Sequence, residues 1–176
     1  WNPTAINQSG SLSLSEGTEI IQAIQARQEI LIWTDAAVYG FQYLGAPEVW
    51  GGTLLGSNTT IASPNAAIYS NNIAYWMGKN KFYFYDGTVK TLPCEVRCHV
   101  FDDFNIEQYD QIVCGSNEEF DEIWWFYCSD NATQNDRYVV YNYVDAVWYY
   151  GSLARSAWLD SDLRVYPLAA VFNNKL

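Results

Sequence analysis

Apolar and polar positions follow one another along this chain in short runs broken by turn residues. Residues 73–93, IAYWMGKNKFYFYDGTVKTLP, show the pattern most clearly. Tyr75, Trp76 and Met77 form a strand-prone run, Gly78-Lys79-Asn80 is turn chemistry, and Phe82–Tyr85 is a second aromatic run. Asp86-Gly87 is a strong two-residue hairpin signal, and residues 88–92 start a third strand that stops at Pro93. Three strands joined by tight turns predict an antiparallel meander.

The same grammar appears on both sides. Upstream stand ILIW (30–33), the break TDA, VYGFQY (38–43), the turn LGAP and EVW (48–50). Downstream come EIWWFY (122–127), the longer break CSDNATQND, RYVVYNY (137–143), the turn VDA and VWYYG (147–151). Trp33, Trp76 and Trp125 hold matching places, as do Tyr39, Tyr83 and Val139. An aromatic core position returning every 40–50 residues or so is the mark of a β-propeller. The expected fold is all-β, with antiparallel meanders repeated as propeller blades. Propellers have about four to eight blades, so three units predict an incomplete propeller; the alternative is an open array stacked by neighbours.

The intervening stretches are assigned with less to go on. Residues 1–17, rich in Ser, Asn and Gly, read as a loop or a partner-held arm. Residues 18–176 form the repeat domain, in units of about 18–62, 63–115 and 116–176. Residues 17–30 fit a helical face through Ile20, Ile21 and Ile24, but they stand where other repeats have a strand, and a strand is expected. Residues 51–64 read as a polar connector and 95–101, EVRCHVF, as a strictly alternating strand. An acidic connector (102–110), a short strand (111–115), an acidic loop (116–121) and strands within 153–160 and 165–172 complete the reading. Trp1 in place of Met, and an end that arrives just after LAAVF, predict a piece of a longer protein. No apolar run of membrane-spanning length and no basic–apolar–small leader pattern is present.

Composition excludes more than it assigns. With 49% hydrophobic and 17% aromatic residues, disorder is excluded. Nine basic residues face twenty acidic ones for a net charge of −11, with no basic stripe. A surface that grips nucleic acid needs Lys and Arg to displace counterions from phosphates, so gripping is not expected. An acidic wall that lets a polymer slide remains compatible with the charge.

Most candidate chemistry dissolves on inspection. Cys94-x-x-x-Cys98-His99 has the look of a metal motif. In an extended strand, residues four apart lie about 13 Å from one another, beyond one zinc ion or a disulfide. Alternation then places Cys94, Val96, Cys98 and Val100 on one face and His99 on the other, with the cysteines acting as small buried hydrophobes. Cys114 and Cys128 fall on different expected strands, and their pairing stays open. His99 is the single histidine and has no nucleophile or acid at catalytic spacing. Asp102-Asp103, and Glu118-Glu119 with Asp121-Glu122, lack the spacing of a calcium loop and read as solvated loops. The sequons at Asn7, Asn58 and Asn131 matter only in a secreted protein. No catalytic, cofactor-binding or metal-binding residue is assigned, and no cofactor is expected. Eight Trp and fourteen Tyr exceed what three thin meanders need, and Trp148-Tyr149-Tyr150 is a candidate contact surface, although blade packing also consumes aromatics.

Taken together, WTDAAVYGFQYLGAP, YWMGKNKFYFYDGTVKTLPCEV, the FDDFN that follows, GSNEEFDEIWWFY, YVVYNYVDAVWYYGSLARSAWLD and YPLAAV resemble, in this order, the tail-nozzle or packaged-DNA stabilisation proteins of short-tailed bacteriophages. The resemblance covers about residues 30–171. It implies a structural virion protein of the phage tail, assembled as a homo-oligomeric ring, a hexamer in that family, around the DNA exit channel. The ring would contact portal or adaptor and other tail proteins, retain packaged DNA and conduct it on ejection, with no catalytic residues. Trp33-Thr34-Asp35 is similar to the YWTD propeller motif, but Trp76-Met77-Gly78 and Trp125-Phe126-Tyr127 do not repeat it. The alternative expectation is a secreted carbohydrate-binding or glycosidase propeller, for which surplus aromatics, carboxylates and sequons would speak.

Overall fold

The computed structural model describes residues 10–45, 49–161 and 163–172. The chain divides after Thr60 into two compact units. Among the described residues the regular structure is mainly antiparallel β, in three four-stranded sheets and one two-stranded sheet. Among the described residues no helix is long and apolar enough to cross a membrane.

The first unit holds β1 (Ile20–Gln25), β2 (Ile30–Thr34), β3 (Ala37–Tyr43) and β4 (Trp50–Ser57), hydrogen-bonded in that order. The stretch that fits both a helical face and a strand is therefore a strand, because β2 supplies a ladder for it from Gln25↔Ile30 to Ile20↔Thr34. Leu31, Trp33 and Val38 are fully buried. The β2–β3 turn is pinned by side chains: the Thr34 hydroxyl accepts from Ala37 N at 2.9 Å, and Asp35 accepts from Thr18 N and Thr18 Oγ1, each at 2.7 Å. These bonds hold the Asp35 carboxyl below the usual carboxylate range. The described part of the N-terminal arm is thus tied to the sheet, and Glu16 N adds a 2.6 Å bond to Tyr39 Oη. Residues 1–9 of that arm, like residues 46–47 of the expected LGAP turn and Glu48 of the expected EVW strand, lie outside the described residues.

Two expectations fail in this unit. Residues 51–57 are strand, not connector, because the β3 backbone captures them in the pairs Gln42↔Gly51 and Phe41↔Gly52 despite a glycine pair with little propensity of its own. Trp33 lies opposite Val38, and Tyr39 lies opposite Ile32, whereas Trp76 and Trp125 lie opposite Tyr83 and Val139. The tighter β2–β3 turn moves the register, so Val38 rather than Tyr39 is the matching residue.

The second unit holds β5 (Ala67–Ser70), β6 (Ile73–Met77), β7 (Phe82–Tyr85) and β8 (Val89–Leu92) in one sheet, and β9 (Val113–Asn117), β10 (Glu122–Tyr127), β11 (Arg137–Asn142) and β12 (Val147–Ser152) in the next. β13 (Ala157–Leu159) and β14 (Leu168–Ala170) pair separately. Sequence reading passes over β5. Its hairpin to β6 turns on Asn71-Asn72, both at positive φ (49° and 63°), the combination a two-residue type I′ turn requires. Trp76 and Trp125 sit on the second strand of their sheets, as Trp33 does, and all three are fully buried.

Residues 95–101 do not form a strand. Arg97–Asp102 is a short helix, α1, followed by a 3-10 turn over Ile106–Gln111. Val96, Val100 and Phe104 recur every fourth residue, a helical stripe that the alternating reading hides. Val100 and Phe104 are buried, and Phe101 packs on Phe82 with ring centroids 5.3 Å apart. The strand-based reason for keeping Cys94 and Cys98 apart therefore does not hold. The short strand expected over residues 111–115 begins at Val113 and runs on to Asn117, into the expected acidic loop.

The two four-stranded sheets of this unit stack with like strands alongside one another. Cys114 N on β9 donates to Asn65 O just before β5 at 2.8 Å, and Trp125 Nε1 donates to Ala66 O at 3.0 Å. At the other edge, Trp148 on β12 reaches Phe82 (4.8 Å between centroids) and donates from Nε1 to Pro93 O at 2.8 Å. β13 repeats the step: Trp158 lies across Gly115 of β9, stacks on Trp124 at 5.4 Å, and donates to Ser116 O at 2.6 Å. Only glycine fits under that indole, since any Cβ at residue 115 would collide with it.

Candidate functional site at the two ends of the stacked sheets

In a meander every second connection lies at the same end of the sheet. The β5–β6, β7–β8, β9–β10 and β11–β12 turns of the second unit therefore share one end, and the longer connections share the other. The chain distributes charge along the same division. The turn end carries Asp86, Glu118, Glu119, Asp121, Glu122 and Asp145, joined by Asp160, whose carboxylate accepts from Glu118 N at 2.9 Å. Lys90 is held at 2.7 Å from Asp86, and Arg164 follows in the β13–β14 connection. Lys79, Lys81, Arg97, Arg137 and Arg155 all lie at the loop end, mixed with acids.

Beneath the acidic turns is a tyrosine cluster. Tyr75 packs against Tyr141 and Tyr143 with centroids 6.1 and 6.2 Å away. Burial pushes the Tyr75 phenol up to about 12, and burial with an Asp121 hydrogen bond does the same for Tyr143. These groups stay neutral under a negative surface. Among the described residues no three His, Cys, Asp or Glu side chains converge as metal ligands.

The loop end is organised by polar side chains that reach between connections. Asn135 is 7% exposed and donates from Nδ2 to Gln111 O (2.6 Å) and Arg155 O (3.0 Å), joining three connections. Arg137 bridges Asp103 (3.2 Å) and Asp136 (3.4 Å), and Arg97 Nε reaches Asn80 O at 2.8 Å. The sequence offers no pointer to Asn135, which sits in an unpatterned polar break.

The residues singled out from sequence are scattered. Cys94, Cys98, Cys114 and Cys128 are free thiols. Burial pushes Cys94 and Cys128 up to about 11 and raises Cys114 well above the ordinary thiol value, away from reactivity. His99 is exposed on α1 with its ring 4.1 Å from Tyr150. The Asp102-Asp103 pair ends α1, far along the chain from the Glu118–Glu122 turn cluster, and belongs to the other end of the sheets. Trp148 is absorbed by packing against Phe82, Trp125 and Tyr141, which leaves Tyr149 and Tyr150 about half exposed. Asn58 and Asn131 are exposed, and Asn7 lies outside the described residues. No protein-family model matches the chain, and no curated protein matches it.

Proposed function

We propose that this chain is a structural part of a bacteriophage tail: its meanders are blades of a β-propeller within a homo-oligomeric ring around the DNA exit channel, in the virion. The observation that carries this reading is the collection of carboxylates at one end of the second unit, where they outnumber the basic residues Lys90 and Arg164. A channel holds DNA by topology and a gate while leaving it free to go, and phosphate contacts would add friction at every step. Carboxylates facing the duplex from all sides centre it by repulsion. The repeated stacking of like strands, the ordered sequence resemblance to tail-nozzle proteins and the net charge of −11 all support the same reading. The role is retention and conduction, with portal or adaptor proteins as neighbours and no enzymatic step.

Sedimentation and duplex binding against salt test it together. The expected result is a ring-sized species with negligible duplex binding at low salt, and measurable binding once Glu118→Lys and Glu119→Lys reverse the turn end. Tight wild-type binding that falls steeply with salt would reveal a phosphate-gripping surface and reject the channel wall. A monomer at all concentrations would reject the ring.

A further inference from the structure

The loop end of the second unit encloses a half-open cavity of about 210 Å³ where four connections and the residue beyond β14 meet. Its floor is spent on the fold: Asn135 binds two carbonyls as described, Gln111 Nε2 donates to Thr133 O at 2.7 Å, and Ser156 Oγ donates to Ala170 O at 3.3 Å. Its rim is different. Asn65, Asp110 and Gln134 line the cavity, yet none of their side chains has a hydrogen bond within the protein among the described residues. Arg155 uses one guanidinium nitrogen on Ala154 O at 2.7 Å, and Phe172, 64% exposed, forms an aromatic wall.

The chemistry of the rim narrows the ligand. One carboxylate and one guanidinium cancel, so the site favours neither anion nor cation, and the surrounding net charge of −11 turns phosphates away. A single carboxylate is too few for a metal. Two carboxamides each offer a donor and an acceptor, the carboxylate accepts and the guanidinium donates. That alternation matches adjacent hydroxyl groups, each of which both gives and takes a hydrogen bond. The cavity, open on one side, has room for one sugar ring seated against its rim. An exposed aromatic face beside the polar groups suits the C–H face of such a ring.

We propose that this cavity binds one neutral hexopyranose unit, of the kind that ends a glycan, through Asn65, Asp110, Gln134 and Arg155 with Phe172 against the ring face. The inference stands apart from the tail reading, which is judged by ring formation and duplex binding. The test is saturation-transfer NMR on the whole chain with the methyl glycosides of glucose, galactose and mannose. Transfer to at least one is expected, with at least a tenfold loss of affinity in Asn65→Ala with Asp110→Ala, and in each single variant where the double variant fails to fold. A Tyr149→Ala, Tyr150→Ala variant is expected to bind as the wild type does. Absence of transfer from all three glycosides overturns the proposal, as does binding unchanged in the Asn65 and Asp110 variants. So does binding lost only in the tyrosine variant, which would move the sugar to β12.

Discussion

The turn end and the loop end of the second unit are built from the same strands by different means. At the turn end each connection is short and solved locally: Asn71-Asn72 and Gly87 adopt positive φ, Asp86 accepts from Thr88 N, and the Asn142 carboxamide accepts from Val144 N and Asp145 N. With much of the turn backbone satisfied locally, and Glu118 N by the Asp160 carboxylate, the outward side chains are free to be acidic. At the loop end the connections are long, and they need one another. Asn135 and Arg137 hold segments that are distant in sequence, and basic residues are recruited as their partners. One end is therefore a surface and the other a framework with a cavity in it.

The sharpest way to break both ends at once is to remove the core they share. Trp125 is fully buried, meets Phe82 at 5.0 Å and bonds Ala66 O across to the neighbouring sheet. Trp125→Ala is expected to cost about 3–5 kcal/mol, seen as a lower denaturant midpoint and a loss of near-ultraviolet dichroism. Replacement that leaves the midpoint within error of wild type would mean the two sheets do not depend on this contact.

The next test separates the ends. Asn135→Ala removes the partner of two part-buried carbonyls, at about 1–3 kcal/mol. Asp86→Ala removes an exposed pair with Lys90, worth at most about 0.5 kcal/mol. Equal effects in urea titrations would erase the distinction between framework and surface.

A third test uses pH on the turn end. Tyr75 and Tyr143 titrate near 12 in the folded chain against an ordinary 10.0. Between those values the unfolded chain has lost phenolic protons that the folded chain keeps, so stability falls as pH rises. The thermal midpoint is expected to begin falling near pH 9, where the Cys94 and Cys128 thiols enter, and to steepen from about 10 to 12. Tyr75→Phe with Tyr143→Phe should flatten the steeper part. An unchanged slope in that variant would place the alkaline sensitivity elsewhere.

How much of this was legible in the sequence follows the same division. The β6–β7–β8 meander and the burial of Trp33, Trp76 and Trp125 could be read because strand period and hairpin chemistry are local. The α1 helix was misread because residues 95–101 alternate and also carry a four-residue stripe, and only packing of Val100 and Phe101 chooses between them. The run of β4 past Trp50 was missed because a glycine pair owes its strand state to its neighbour. Asn135, the rim of the cavity and the place of Trp158 over Gly115 were invisible, since each depends on segments brought together from far apart.

The smallest expected effect concerns a strained turn that local chemistry does not fully resolve. Ala146, between β11 and β12, has φ of 56°, a left-handed conformation that places its Cβ against its own carbonyl at a cost of about 1 kcal/mol. Asp121 occupies the same region in the β9–β10 turn at 59°, but an aspartate tolerates it better. Ala146→Gly removes the clash and gives back part of the gain through a more flexible unfolded chain. The net expectation is stabilisation of about 0.5 kcal/mol, a rise of roughly 1–2 °C in thermal midpoint for a chain of this size. Asp121→Gly should gain less, or lose, because its carboxylate also interacts with Tyr143. Paired melts of the two variants decide the matter. If Asp121→Gly gains more than Ala146→Gly, backbone strain is not what limits the turn end, and its stability must instead be traced to the repulsion among its carboxylates.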